Sequence, residues 1–285
     1  MEHTLTCVDH YASGEAFHLC RCSACGFLFT QDFPAEAEIG RYYETPDYIS
    51  HSDTRKGLVN TLYHWVRTVM LGRKARLVMN EAHRRRGRLL DIGTGTGYFA
   101  HAMDERGWRV DAIEKNVQAR AFAKEHFGLE VLPDGAWASL QEGAYDVITL
   151  WHVMEHLEHL NDTWERLYRL LSPKGVLIVA VPNCSSFDAH KYGGQWAAYD
   201  VPRHLWHFTP GTMQQFGAKH GFILAERHPM PFDAFYVSML TEKYMHHNLP
   251  FVRGLLTGTL AWFSALVRKD CSSSLIYVFR KKQSR

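Results

Sequence analysis

Net charge and long apolar runs are in short supply in this chain, and each shortage argues against something. The 32 Lys and Arg nearly balance the 30 Asp and Glu, leaving a formal net charge of +2, so no global field draws the chain to nucleic acid. Residues 254–267 carry no charge, but those 14 positions between Arg253 and Arg268 fall short of the roughly 20 that span a bilayer. The first twenty residues are polar, hold three His and two Cys, and lack a charged-then-apolar leader. That places the chain, as an expectation, in a reducing cytoplasm, where six cysteines read as metal ligands more readily than as disulfides. Histidine runs the other way: 18 residues raise the expectation of imidazole chemistry without locating it.

The stretch Leu89-Leu90-Asp91-Ile92-Gly93-Thr94-Gly95-Thr96-Gly97-Tyr98-Phe99-Ala100 is the most informative part of the sequence. An apolar strand ends in an acid, opens into alternate glycines and continues into a helical pattern, the geometry that lets backbone approach a nucleotide closely. A dinucleotide fingerprint needs G-x-G-x-x-G, and its third glycine position holds Tyr98. A second strand over residues 109–114 ends in Glu114, 17 residues beyond Gly97, where a carboxylate can accept both hydroxyls of a ribose. Further strands are expected at 129–132, 145–150, 176–181, from 222, and at 274–280.

G-x-G-x-G after a strand ending in an acid, followed by this series, resembles the class I S-adenosylmethionine (SAM) methyltransferases, in particular the small-molecule enzymes of the ubiquinone-biosynthesis type, over roughly residues 85–230. The resemblance implies an α/β fold: a doubly wound, seven-stranded, mostly parallel sheet with a helical insertion before the last strand. It implies SAM as cofactor, with Asp91, Gly93, Thr94, Gly95 and Gly97 shaping the methionine side, Glu114 on the ribose, Asp134 near the adenine and Trp151 beside the cofactor. The chain would divide into a module at 1–45, a helical segment at 46–86 and the methyltransferase domain at 87–285, with acceptor-side insertions at 184–210 and 232–270.

The N-terminal module carries Cys22-Ser23-Ala24-Cys25-Gly26, the shape of a zinc knuckle, and Cys7-Val8-Asp9-His10 upstream offers a second pair. The expected ligands of a structural Zn²⁺ are therefore Cys7, His10, Cys22 and Cys25, with His18 and Cys20 as competitors. Relatives of this type resemble it in beginning with such a ribbon.

His152-Val153-Met154-Glu155-His156 matches the inverted zinc-protease motif H-x-x-E-H, and on a helix its two His would share one face. Its place after the fourth strand instead resembles the acceptor-side segment of SAM methyltransferases. The tract 196–208, ending in Asp200-Val201-Pro202-Arg203-His204-Leu205-Trp206-His207-Phe208, is too rich in Trp, His and Arg for an ordinary loop and reads as acceptor-pocket wall. His152, His156, His204 and His207 are candidate bases, with His152 first because it follows the strand directly. Tyr42, Tyr43 and Tyr48, with Ile49, Ser50 and His51, are expected to close over the site. The basic run at residues 83–88 reads as a solvated turn.

The expected reaction is methyl transfer to a small-molecule acceptor. Residues 249–269 could rest on a membrane surface, which would suit an apolar, lipid-like acceptor. Two rivals stand beside it. An RNA methyltransferase with a zinc-ribbon recognition module is disfavoured by the charge and by the lack of an Asn/Asp-Pro-Pro-Tyr-like motif. A non-catalytic SAM-binding scaffold would bind cofactor without turnover. The identity of the acceptor and the oligomeric state are not encoded in any readable pattern.

Overall fold

The computed structural model describes residues 2–43, 58–230 and 232–282. Two sheets organise them. A small antiparallel sheet has the order β1 (Glu2–Val8), β2 (Ala16–Arg21), β3 (Leu28–Thr30), β8 (Trp206–His207). The larger sheet runs β5 (Arg109–Ile113), β4 (Arg88–Ile92), β6 (Tyr145–Trp151), β7 (Leu171–Pro182), β10 (Ser274–Lys281), β9 (Phe222–Pro229). Its first four strands are parallel, and β10 pairs antiparallel with both β7 and β9.

The described helices are a single turn, α1 (Glu36–Ile39), then α2 (Leu58–Glu81), α3 (Tyr98–Asp104), α4 (Val117–Phe127), α5 (Leu160–Leu170), α6 (Phe187–Tyr192), α7 (Pro210–Lys219), α8 (Asp233–Tyr244) and α9 (Pro250–Val267). Local chemistry sets several of their ends. Asn116 caps α4 by accepting from Ala119 N–H, and Gly128, with φ of 67°, closes it. Thr209 and Thr212 form a capping box at α7, with Pro210 in its first turn.

Strands buried on both faces explain why the sheet is read so easily from sequence. Along β10, Leu275, Tyr277 and Phe279 join the core under α5, whereas Ile276 and Val278 join the one under α2 and α3. Neighbouring side chains alternate across the pleat, and both faces are covered by helices. On α5, Leu160, Trp164, Leu167 and Leu170 are buried at helical spacing, each stabilising by about 1.5–3 kcal/mol.

The expected strand at 129–132 is reduced to one parallel bridge, Ile113 to Leu132. The described ladder therefore has six strands, with the seventh position marked by that single bridge at the edge. Within the helical segment expected at 46–86, the described residues form a helix over Leu58–Glu81. In the basic run, Arg84 pairs with Asp146 (2.6 Å) and Arg88 with Asp111 (2.8 Å), at the strand ends opposite the glycine turn.

The small sheet is not an isolated module. Its fourth strand comes from residues 206–207, and Leu19, Leu28 and Cys7 share a core with Tyr192, Trp196, Tyr199 and Val201. Arg203 fastens the two together: buried, it reaches Asp9 (3.1 Å), Asp200 (2.6 Å) and the Tyr42 carbonyl (2.9 Å).

The expected zinc set does not assemble. The β1–β2 register pairs Cys7 with Phe17 at one end of the hairpin and Glu2 with Arg21 at the other. Cys7 thus lies five residues along the ladder from the Cys22 end, about 17 Å at strand spacing. His10 is turned elsewhere, hydrogen-bonded to Gln195 (3.2 Å) and stacked on Tyr244. Cys20 spends its thiol on the Gln31 side chain, and His18 meets Thr6 and His3. Only Cys22 and Cys25 share a turn, where the Cys25 and Ala24 amides hold the Cys22 thiol below its ordinary pKa.

Candidate active site

The sheet reverses its winding between β4, whose chain continues to β5 on one side, and β6 on the other. Ligands of doubly wound sheets bind outside the strand ends at such a point. A cavity of about 2040 Å³ opens there, well above the roughly 300–1,000 Å³ of a site for one drug-sized molecule. It has room for a nucleoside cofactor and an acceptor together.

The glycine turn forms one wall. Gly93, Gly95 and Gly97 all have positive φ, at 65°, 57° and 82°. A Cβ on Gly93 would lie 2.4 Å from Val153 Cγ2, and one on Gly97 would lie 2.9 Å from Ala123 Cβ. At Gly95 a Cβ would meet nothing within 4 Å, so the backbone there faces open cavity. Gly93 and Thr94 N–H both donate to the Ile113 carbonyl, at 2.8 and 3.0 Å, tying the turn to β5. Glu114 Oε2 accepts from Gly95 N–H and its Oε1 from Asn116 N–H, each at 2.8 Å. Those bonds fix the carboxylate and still leave lone pairs on both oxygens for ribose hydroxyls. Asp134 and Trp137 line the same end.

Asp91 lies beneath this wall. Burial pushes its pKa up to about 6, against the pull of the Thr149 hydroxyl, which donates to it at 2.6 Å. Trp151 also sits below the cavity, edge-on to Phe99 and under the Lys74 ammonium at 4.4 Å. Of the expected cofactor residues, Gly93, Gly95, Glu114 and Asp134 line the cavity; Asp91, Thr94, Gly97 and Trp151 support it.

The other end of the cavity gathers side chains far apart in sequence. His152 leaves β6 with φ of 58°, and residues 154–156 form one 3-10 turn. The H-x-x-E-H segment is therefore not an α-helix face, and its two His part company. His152 Nε2 meets Asp233 (3.3 Å) and Nδ1 faces Glu155 (3.4 Å). Burial alone would push the His152 pKa down, but the Asp233 and Glu155 carboxylates outweigh it and raise it to about 9. A cationic imidazole cannot take a proton at neutral pH, so the first choice of base is corrected: His152 is a charge clamp.

His156 turns instead to His204, with ring centroids 4.6 Å apart. Its Nδ1–H donates to the Arg203 carbonyl (3.0 Å) and lies 3.2 Å from the Tyr43 hydroxyl. Burial, with His204 adjacent, holds its pKa at about 4, leaving it neutral. His204 Nδ1–H donates to the Ala198 carbonyl (2.9 Å). In both rings the carbonyl fixes the tautomer and leaves the Nε2 lone pair available.

His207 is corrected as a base. It belongs to β8, is buried outside the cavity lining, and donates from Nε2 to Thr30 Oγ1 (3.0 Å), whose hydroxyl in turn donates to the His204 carbonyl (2.7 Å). Burial holds its pKa near 3. Tyr43 does line the cavity, and Tyr42 is buried with its hydroxyl on Glu15 (2.6 Å). Tyr48, Ile49, Ser50 and His51 lie outside the described residues. Glu155 and Asp233 are participants that sequence reading missed. Glu155 stood inside the motif, whereas Asp233 lies 81 residues past His152 with no local signal.

Comparison with known proteins bears on the domain and its fold. Residues 63–226 match a family model described as a methyltransferase domain. The ubiquinone biosynthesis O-methyltransferase of Caulobacter sp. (strain K31) is 35% identical over 134 residues, covering 44% of this chain and 50% of that protein. A malonyl-[acyl-carrier protein] O-methyltransferase of Serratia marcescens is 31% identical over 129 residues, covering 44% and 49%. The chain thus spans about half the length of these curated relatives. Among solved structures, the Burkholderia thailandensis 1,6-didemethyltoxoflavin-N1-methyltransferase, with bound 1,6-didemethyltoxoflavin and S-adenosylhomocysteine, superposes with a TM-score of 0.54 at 14% identity, covering 98% of this chain and 100% of that one. A SAM-dependent methyltransferase from Archaeoglobus fulgidus gives 0.51 at 18%, covering 75% and 94%. At such identities these structures speak to the fold alone. With more than half its length matched by the family model, the chain belongs to the methyltransferase domain family.

Proposed function

We propose that this protein transfers the methyl group of SAM to a small-molecule acceptor. The observation that carries the reading is the Glu114 carboxylate. It is held by the Gly95 and Asn116 amides at the open face of the glycine turn, in a cavity large enough for both reactants. The acceptor lies at the Glu155, His156 and His204 end, aligned with the sulfonium methyl. An acceptor heteroatom attacks the methyl carbon, the C–S bond breaks and S-adenosylhomocysteine leaves; a hydroxyl acceptor also releases its proton. Asp233 and Glu155, flanking His152, fix the imidazolium so that the wall between the two reactants stays in place.

The helical pair after β9 supports an apolar, lipid-like acceptor. One side of α8 lines the cavity through Tyr236, Val237 and Leu240, while α9 packs Gly254, Thr257, Gly258 and Ala261 inward. The outer face of α9 leaves Phe251, Leu256, Leu260 and Phe263 more than half exposed, with Arg268 and Lys269 at its end. Such a face suits an anionic membrane surface from which the acceptor enters.

Calorimetric titration with S-adenosylhomocysteine tests the reading. Micromolar binding that Glu114→Ala weakens at least about tenfold supports it; a folded chain that binds none would sink it.

A further inference from the structure

The acceptor end contains a side-chain arrangement that methyl transfer by itself does not require. Glu155 is 1% exposed, and neither of its carboxylate oxygens has a hydrogen-bond partner. Its nearest cation, His152 Nδ1 at 3.4 Å, gives it an ion pair but no hydrogen bond, and that ring is shared with Asp233. A buried carboxylate without donors is costly, and native structures satisfy such groups by hydrogen bonding or by metal coordination.

Two imidazoles stand beside it in the orientation that metal ligands adopt. Glu155, His156 and His204 each offer one ligand atom, and the three atoms lie within 4.8 Å of one another. Each ring donates its Nδ1–H to a backbone carbonyl, Arg203 for His156 and Ala198 for His204, so Nε2 is the ligating nitrogen. Such an outer partner is what fixes the tautomer of metal-bound histidine. Asp200 Oδ2 stands 3.8 Å from His204 Nε2 and is itself held by Arg203, adding negative charge just outside the cluster. All three ligands line the cavity, so the remaining coordination positions face the acceptor.

We propose that Glu155, His156 and His204 bind one divalent transition-metal cation that takes the acceptor oxygen in its open position. This deepens the methyltransferase reading and rests on it for the reaction, though not for the metal site. Two imidazoles and one carboxylate select Zn²⁺, Fe²⁺ or Mn²⁺ over Mg²⁺ and Ca²⁺, which favour all-oxygen sites. In a tetrahedral site with bonds near 2.0–2.1 Å the ligand atoms sit roughly 3.3 Å apart, so side-chain shifts of about an ångström close it. The acceptor is then a hydroxyl or enol. Coordination acidifies its O–H, the proton passes to water, and the metal-bound oxygen forms the new C–O bond as the methyl C–S bond breaks. His152, with a carboxylate on each nitrogen, is outside the ligand set. A second group, Glu81, Glu226 and His228, lies away from the cavity and is closed by ion pairs from His228 Nε2 to both carboxylates (3.3 and 3.4 Å).

Electron paramagnetic resonance titration of the chelator-stripped full chain with Mn²⁺, followed by competition with Zn²⁺ and Mg²⁺, tests this. Wild type should take up one Mn²⁺ per chain, displaced by Zn²⁺ but not by Mg²⁺. Glu155→Gln and His204→Ala should each weaken binding by more than roughly 100-fold, beyond the 10–100-fold that outer partners carry. Glu226→Gln should leave it unchanged. Calorimetry with S-adenosylhomocysteine on the same samples reports that each variant is folded. Metal uptake without S-adenosylhomocysteine binding would keep the site and overturn the methyltransferase reading. Binding of S-adenosylhomocysteine with no saturable Mn²⁺ or Zn²⁺ uptake overturns the metal site and keeps the methyltransferase reading. Uptake that survives both ligand variants, or is lost in Glu226→Gln, also overturns the metal site.

Discussion

The two ends of the cavity are assembled in different ways. The end proposed for the cofactor comes from one stretch of chain, residues 93–138, in which each strand hands its loop directly to the cavity. The end proposed for the acceptor combines Tyr43, residues 152–159, residues 197–205 and α8, segments that only tertiary contacts bring together. Backbone does the work at the first end, through the glycine turn and the amides that hold Glu114. Buried charge does it at the second, through Arg203 with Asp9 and Asp200, and His152 with Asp233 and Glu155. The contrast sets a locally coded glycine turn beside a wall specified by long-range pairing.

The contrast breaks most severely at Arg203. Arg203→Ala strands the Asp9 and Asp200 carboxylates in the interior and should cost about 3–5 kcal/mol, read as a large fall in denaturant midpoint. If stability barely changes, the clamp does not hold the acceptor wall.

Gly93→Ala comes next. It places a methyl against Val153 at a φ that L residues avoid, for about 2–4 kcal/mol. Gly95→Ala has the same backbone strain without the clash, so its stability loss should stay near 1–2 kcal/mol, while S-adenosylhomocysteine affinity falls by more than that strain explains. Equal effects of the two substitutions on stability would erase the distinction between supporting and lining glycines.

Asp91→Asn sharpens the comparison from the other side. The folded-state pKa is raised from 3.8 to about 6, so the wild-type chain binds the proton more tightly when folded and loses stability as pH rises from about 4 through about 6. Above that window the charged, buried Asp91 costs about 2–3 kcal/mol. The variant should therefore be more stable by that amount at pH 7.5, with the gain fading below pH 4, and should bind S-adenosylhomocysteine less well. Denaturant titrations at several pH values check the sign.

The smallest effect on stability is expected on the outer face of α9. Leu256→Gln with Phe263→Gln should change stability by less than about 0.5 kcal/mol per site, yet reduce cosedimentation with anionic vesicles about tenfold. Unchanged vesicle binding would remove the membrane from the account of the acceptor.

The sequence alone determined the socket. Strand, turn and helix between Leu89 and Ala100, the acid at 114 and the buried strands from 145 to 181 are set by period, glycine spacing and local capping, each acting within a few residues. The edge at 129–132 was misread because apolar alternation marks a segment that can pair, whereas pairing depends on a neighbour and here stops at Leu132. The zinc set failed for a related reason. Spacing brought Cys7-x-x-His10 and Cys22-x-x-Cys25 together on paper, but hairpin register decides which ends of β1 and β2 meet. His152 looked like a base because it follows β6; only the fold set Asp233 against it and made it a cation. Tertiary structure likewise decided that His156 and His204, 48 positions apart, would stand together beside Glu155. Short-range conformational preferences are written residue by residue, whereas the charge and chemistry of a side chain depend on partners that only folding supplies.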